Sequence, residues 1–242
     1  MLLKSCALIA MLSFALGAAH ANETTIRKVL SSKFPEAKIA SIKKTPYSGL
    51  YEVYMDGQLI YTDANAQYAF LGDVIDIKNR VNLSKARLSV LNIVPMNQLP
   101  LNNALKMVKG KGERKLVVFS DADCPFCRKF EEELKKVDNI TVYTFLFPIE
   151  GLHPKAVQIS RQVWCAPDKN KAWDDYMTSG KIPGNDGKCD NPIDENMALG
   201  GKLGINGTPT IILANGHRIP GMVPAAKLEE MLASVAKTSA AK

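Results

Sequence analysis

The first clear alternation of apolar and polar residues covers 51–56, where Tyr51, Val53 and Met55 are spaced two apart. This period predicts a strand, and the Asp56-Gly57 pair that follows predicts a hairpin turn. A short helix is expected near residues 24–33, and further strands are expected at 58–62, 67–71 and 74–77. Residues 22–80 are therefore predicted to form a small α+β domain, whose limited core favours association with a second copy.

Residues 81–113 carry apolar residues near helical spacing. One group comprises Leu83, Leu88 and Leu91, and a second comprises Leu101, Leu105 and Val108. Pro95 and Pro100 lie between the two groups. This pattern predicts a helical linker made of two pieces around a stiff break.

Residues 114–242 alternate between strand and helix patterns. Strands are expected at 115–120 and 140–147, the first helix at about 125–137, and a final helix at 225–236 after a hairpin around Asn215-Gly216. Further helices are expected near 154–164, 170–179 and 194–203. A βαβ unit followed by a late hairpin and helix is typical of a thioredoxin fold, here with a helical insertion. The whole chain is thus predicted to belong to the α+β class.

The N-terminus has the features of a secretion signal. Lys4 precedes an apolar run from Ala7 to Ala19, and Ala19 and Ala21 supply the small residues of a cleavage site. The alternative is a membrane anchor, but the run is shorter than the roughly 20 residues of a spanning helix. We expect residues 1–21 to be a cleaved signal peptide and the protein to be exported to an oxidising compartment.

Cleavage after Ala21 leaves 242 − 21 = 221 residues with a formal charge of 30 − 24 = +6, because Lys4 is the only charged residue removed. The basic residues are scattered among acidic ones, without a basic stripe interleaved with aromatic residues. Nucleic acid is therefore not an expected partner.

The mature chain keeps four cysteines, and an even number in an exported protein suggests two disulfides. Cys124-Pro125-Phe126-Cys127 directly follows an apolar strand and begins a helix, where free amides and the helix dipole stabilise an anion. Cys124 is thus the predicted attacking thiolate, and Cys127, one turn later, is the predicted resolving cysteine. The alternatives are a zinc site, for which no second CxxC exists, and a purely structural disulfide; we expect no metal and no cofactor.

Cys165 and Cys189 enclose 189 − 165 − 1 = 23 residues. Closing a loop of this length restricts the unfolded chain strongly, so this pair is predicted to be a structural disulfide. The alternative is a second redox pair, but neither cysteine begins a predicted helix.

Four segments carry a recognisable pattern: Phe119 to Cys127, Phe147-Pro148 with Gly151, Trp164 to Ala172, and Gly204 with Gly207-Thr208-Pro209-Thr210. Together they resemble the periplasmic disulfide isomerase family of the DsbC/DsbG type. The resemblance implies a cystatin-like dimerisation domain at 22–80, a helical linker at 81–113 and a thioredoxin-like domain at 114–242. It also implies a homodimer, misoxidised exported proteins as substrates, and a membrane thiol reductant of the DsbD type.

The same resemblance implies that the Thr208-Pro209 peptide is cis and lies against the reactive cysteines. X–Pro bonds are the ones that adopt cis at low cost. Thr208 and Pro209 are therefore the expected substrate-binding residues, with Thr208 pairing through its backbone to an extended substrate. The alternative is an ordinary trans proline in a turn.

Several other polar residues near the cysteines receive weaker assignments. Val118 stands six residues before Cys124, where thioredoxin has a buried aspartate, and Asp121 and Asp123 are expected to be solvated loop carboxylates. Arg128 and Lys129 either favour the thiolate or face solvent, and His153 and His217 are expected to be structural or exposed.

The leading functional hypothesis is a dimeric isomerase that reduces and reshuffles non-native disulfides. Pro125-Phe126 differs from the Gly-Tyr common among isomerases of the family, which keeps open a reductase that protects single cysteines, including sulfenic acids. A monomeric oxidase and a non-catalytic holdase are the remaining alternatives.

Overall fold

The computed structural model describes residues 22–240, so the predicted signal peptide lies outside the described residues. The chain divides into two compact units between Leu91 and Asn92. No helix in the described part of the chain is long and apolar enough to cross a membrane. The division into domains at residues 80 and 113 stays a prediction.

The first unit is a helix packed on an antiparallel meander. Helix α1 covers residues 22–33, and the sheet is formed in sequence order by β1 (Ile39–Lys44), β2 (Tyr51–Met55), β3 (Gln58–Thr62) and β4 (Ala69–Phe70). Ile26 and Leu30 of α1 are buried in one cluster with Ile42, Val53 and Ile60. The predicted hairpin is present, because Met55 pairs with Gln58 and both Asp56 and Gly57 have positive φ.

The end of this unit differs from the predicted meander. The segment expected at 74–77 contributes only β5 (Ile75–Asp76), which pairs with β6 (Val81–Asn82) in a separate sheet rather than with β4. Helix α2 (Leu83–Leu91) follows. Its Ser84 hydroxyl lies 2.6 Å from the buried Tyr61 hydroxyl, and Arg87 forms a 2.8 Å ion pair with Glu52, so α2 is attached to the first unit.

The second unit is built on a five-stranded sheet. Its strands are β7 (Leu105–Lys109), β8 (Arg114–Ser120), β9 (Ile140–Leu146), β10 (Thr210–Leu213) and β11 (Arg218–Pro220), in the order β11-β10-β8-β9-β7. Its helices are α3 (Pro125–Leu134), α4 (Ala156–Trp164), α5 (Lys169–Ser179), α6 (Ile193–Lys202) and α7 (Ala225–Ala240). Among the strands that the structure describes, only β8 and β9 pair in parallel, as the predicted βαβ unit requires.

The central strand β8 is buried on both faces. Leu116 and Val118 pack with Phe130 of α3 and Leu228 of α7, whereas Val117 and Phe119 belong to the cluster on the other face. This explains why the strand reads as a continuous apolar run rather than an alternation.

The predicted helix containing Leu101, Leu105 and Val108 is wrong. Two short 3-10 turns, Met96–Gln98 and Leu101–Asn103, lead into β7, which pairs antiparallel with β9. In β7 Leu105 is buried and Lys106 is exposed, as expected for a strand. The helical spacing of Leu101, Leu105 and Val108 hid this alternation in the sequence.

Lys109, the last residue of β7, binds the C-terminal end of α3. Its Nζ lies 2.6 Å from Val137 O and 2.8 Å from Lys135 O. Carbonyl groups at a helix end lack partners within the helix and favour a cation. Strand β7 therefore stabilises the helix that carries the CxxC motif.

A disulfide joins Cys165, directly after α4, to Cys189 in the loop before α6. It closes the helical insertion whose apolar core includes Val163, Trp173 and Ile193. Cys165 is the C-cap of α4 and neither cysteine begins a helix, so neither has the helix-start setting of Cys124. The structural role of this disulfide stays a prediction.

We expect replacement of both Cys165 and Cys189 by serine to lower the free energy of unfolding by about 3.5 kcal/mol, because the unfolded chain regains the entropy of the open loop. Urea titration without reductant measures this difference. The Cys124→Ser/Cys127→Ser double variant is the control and should change stability much less. An equal loss in both double variants would contradict the structural role of the Cys165–Cys189 bond.

Candidate active site

The reactive motif lies where β8 turns into α3. Cys124 is the N-cap residue with extended backbone angles, and Pro125 is the first residue of the helix. Proline suits this position because its missing N–H would have no partner within the helix. The two cysteines are free thiols and both are buried, Cys124 with 5% of its surface exposed and Cys127 with 1%.

The surroundings of the two thiols give them opposite properties. A hydrogen bond from the Cys127 side chain lowers the pKa of Cys124 to about 5, with further contributions from the Thr208 side chain and the backbone N–H groups of Cys127 and Phe126. Burial, and then the neighbouring Cys124, raise the pKa of Cys127 above its usual range. The helix start thus favours one thiolate and one thiol.

The Thr208-Pro209 peptide is cis and lies against the motif. The Cys124 thiol lies 3.3 Å from the Thr208 carbonyl oxygen, to which it can donate a hydrogen bond. Pro209 precedes β10, and its carbonyl accepts from Gly221 N. The loop that contains Thr208 and Pro209 therefore lies against Cys124, as expected from the sequence.

Phe126, between the cysteines, exposes 56% of its surface. Leu152, in the loop after β9, exposes 67%. The flanking cations lie over aromatic rings: Arg128 is 5.6 Å from the Tyr176 ring centre, and Lys129 is 5.9 Å from that of Phe126. Phe126 is thus an exposed apolar side chain directly between the two buried cysteines.

The expectation that Asp121 and Asp123 are solvated is wrong for Asp121, which is fully buried. Its carboxylate accepts hydrogen bonds from Ile149 N at 2.7 Å and from Asp123 N at 2.9 Å, and lies 2.9 Å from His153 Nδ1. Asp123 is half-buried and accepts a hydrogen bond from the Tyr176 hydroxyl. Apart from Asp123, the partners of Asp121 come from a loop 28 to 32 residues later, so nothing in the nearby sequence indicates that Asp121 is buried.

Glu131 is another polar residue that the sequence reading missed. It lies four residues after Cys127 in α3 and is half-buried, and its carboxylate accepts a 2.8 Å hydrogen bond from Trp173 Nε1. Burial raises its pKa to about 7. The i, i+4 spacing from a buried cysteine was the available signal, because it places Glu131 on the inner face of the helix.

Comparison with known proteins covers both units. Residues 101–236 match the family model described as a thioredoxin-like domain, and residues 17–85 match the N-terminal domain of disulfide bond isomerase proteins. The α+β class predicted for the chain is thereby confirmed.

Named relatives align over most of the chain. The thiol:disulfide interchange protein DsbC of Escherichia coli K12 is 30% identical over 233 residues, covering 95% of each chain. The probable DsbC of Bordetella pertussis is 38% identical over 207 residues, covering 86% of this chain and 73% of the relative. A crystal structure of a disulfide interchange protein from Neisseria gonorrhoeae is 46% identical, with a TM-score of 0.54, over 56% of this chain and 97% of the other.

We expect Cys127→Ala to raise the pKa of Cys124 by about one to two units, because it removes the largest stabilising hydrogen bond to the thiolate. Cys127→Ser is the matched control, since its hydroxyl can still donate. The ultraviolet absorbance of the thiolate against pH measures both. Equal titration curves for the alanine and serine variants would show that the hydrogen bond has no such role.

Proposed function

The chain belongs to the DsbC family of thiol:disulfide interchange proteins, and we propose on that premise that it reduces and reshuffles non-native disulfides of exported proteins through Cys124 and Cys127. The observation that supports this most directly is the position of Cys124 at the N-cap of α3, where the Cys127 thiol and the helix amides lower the pKa of Cys124 to about 5. A thiolate at neutral pH is the attacking species in exchange.

The first step is attack by the Cys124 thiolate on one sulfur of a substrate disulfide. The substrate S–S bond breaks, a Cys124–substrate disulfide forms, and one substrate sulfur is released as a thiolate. If that thiolate attacks another disulfide of the same substrate, a new substrate thiolate can displace Cys124. The substrate is then rearranged without net oxidation or reduction.

The second route ends the reaction when rearrangement stalls. Cys127 loses its proton and attacks Cys124 Sγ, which releases a reduced substrate and leaves the Cys124–Cys127 disulfide. The raised pKa of Cys127 keeps this route slow, so a bound substrate has time to rearrange. The slow release favours isomerisation over simple reduction.

Each release by reduction consumes two electrons, which must be returned. At pH 7 a thiolate with a pKa near 5 favours the reduced pair by at most about 2.7 kcal/mol before solvent screening, equivalent to roughly 60 mV. A pair that favours its reduced form takes electrons readily from other thiols and is therefore oxidising. A membrane thiol reductant of the DsbD type is the proposed partner that returns the two cysteines to the reduced form. Thr208 and Pro209 are the proposed substrate-binding residues, because an extended chain could pair with the Thr208 backbone.

The first unit is the proposed dimerisation domain. Residues 1–21 are the proposed signal peptide that directs the protein to the periplasm. Its residues 68–77 form an exposed apolar segment, with Tyr68, Phe70, Leu71, Ile75 and Ile77 each more than half exposed. Strand β4, at the edge of the sheet, lies within it. Exposed apolar residues on an open sheet edge are typical of a surface that another chain covers.

We expect Cys124→Ala to abolish both reduction and reshuffling of a scrambled disulfide substrate, because the attacking sulfur is lost. Cys127→Ala should instead accumulate a Cys124–substrate disulfide, visible by mass spectrometry of acid-trapped samples. The Cys165→Ala/Cys189→Ala variant is the control and should retain exchange. Reshuffling by Cys124→Ala would disprove the assignment, whereas reduction of sulfenic acids without reshuffling would favour the protective reductase.

We expect the mature protein to be a dimer at micromolar concentration, as measured by light scattering after size exclusion. Leu71→Asp should shift the mass toward a monomer, because it places a charge in the exposed apolar segment. Phe34→Asp is the matched control, since Phe34 is also exposed in the first unit but lies outside residues 68–77. A monomeric wild-type protein would contradict the proposal and favour the oxidase hypothesis.

A further inference from the structure

Asp121 connects three parts of the reactive region. Its backbone carbonyl accepts a hydrogen bond from Cys124 N at 3.2 Å. Its backbone N–H donates to Cys127 Sγ at 3.4 Å. Its side chain binds the loop after β9 through Ile149 and His153. The backbone of Asp121 thus contacts both cysteines, while its side chain binds the loop that carries His153.

The Asp121 carboxylate is fully buried and its only cationic partner among the described residues is His153. A carboxylate can only accept a hydrogen bond, so His153 Nδ1 carries the hydrogen in the 2.9 Å contact. The second proton then adds at Nε2. The side chain of His153 is 24% exposed, so this proton can exchange with water.

We propose that His153 is a positioning residue for disulfide exchange: its imidazolium, held by the buried Asp121 carboxylate, balances that negative charge beside Cys124 and so helps to keep the attacking thiolate stable. The proposal rests on the assignment of Cys124 as the attacking cysteine in the proposed function. It also gives Asp121 a role, because the carboxylate holds the imidazolium near the sulfur.

The charges around this pair decide the sign of the effect. Protonated His153 and ionised Asp121 sum to zero, whereas neutral His153 leaves one uncompensated negative charge close to Cys124. The other titratable groups that interact here lie on three elements: Asp123 in the turn before α3, Arg128 in α3 and Tyr176 in α5. Asp123 adds to the negative charge, and Arg128, which lies over the Tyr176 ring, opposes it.

The interaction of His153 with Cys124 must be reciprocal. The hydrogen bond to Asp121 is the largest cause that raises the pKa of His153, and the negative charges of Asp121, Cys124 and Asp123 raise it further. A thiolate that raises the pKa of an imidazole is itself stabilised by the imidazolium to the same extent. Formation of a mixed disulfide removes the thiolate, so it should make His153 release its proton more easily.

His153→Gln tests the effect on the sulfur. The Gln amide can still donate to Asp121 but carries no charge, so the pKa of Cys124 should rise by about one unit. For a shift from about 5 to about 6, alkylation of Cys124 at pH 5.5 should slow by about threefold. At pH 8.5 both proteins are fully ionised at Cys124 and their rates should agree. His217→Gln, in the β10–β11 hairpin, is the control and should match the wild type at both pH values.

The wild-type protein tests the reverse effect without a substitution at position 153. NMR titration of the His153 ring should show a lower pKa, by about one unit, after Cys124 is capped with neutral iodoacetamide. His217 serves as the internal control. This measurement decides the question even if His153→Gln folds poorly, because a merely structural histidine would not respond to the charge on Cys124.

The two failures can be told apart. An ordinary thiol pKa at Cys124 in the wild type would contradict the proposed function and this proposal together. A low Cys124 pKa that is unchanged in His153→Gln, with an unchanged His153 titration after capping, would contradict the role of His153 alone. A slowed reaction at pH 5.5 that is equal at pH 8.5 supports it.

Discussion

The turn from a buried strand into a helix within four residues is the constraint on which the reactive site depends. Strand β8 ends at Ser120 and α3 begins at Pro125, so the four residues between them must place Cys124 at the helix N-cap. The backbone bond from Cys124 N to Asp121 O closes this turn. Because the turn places Cys124 at the N-cap, its sulfur lies next to the free backbone amides of Phe126 and Cys127.

The two cysteines are the same residue type, so the difference between their thiol pKa values comes from where this turn places them. Both cysteines belong to the apolar cluster that contains Ala122 and Leu146. Cys124 lies at its margin, next to helix amides and the Thr208 loop, whereas Cys127 is only 1% exposed. Water excluded from the second sulfur disfavours its anion, while the hydrogen bond between the thiols favours the anion of the first. Cys124 and Cys127 lie one helical turn apart, yet the first favours the thiolate and the second favours the thiol.

Local patterns predicted those parts of the molecule in which the partners lie close in sequence. The CxxC motif after an apolar strand, the Asp56-Gly57 hairpin and the separation of Cys165 from Cys189 each carry their own signal. The burial of Asp121 carries none, because its partners Ile149 and His153 are supplied by tertiary folding. Strand β7 was mistaken for a helix because the spacing of Leu101, Leu105 and Val108 by four and three residues fits a helical period. The strand becomes evident only from the pairing of β7 with β9.

The contact between Lys109 and the C-terminal end of α3 has a consequence for how domains can be exchanged between relatives. A chimaera joined at residue 113 would replace β7 with foreign sequence and would remove the cation from the end of the reactive helix. The carbonyl groups of Lys135 and Val137 would then have to find water or another donor. A junction placed upstream of the 3-10 turn at Met96–Gln98 keeps the strand, the cation and the helix from one parent. In this chain a junction should therefore be tolerated before residue 96, whereas a junction between residues 105 and 113 should destabilise α3.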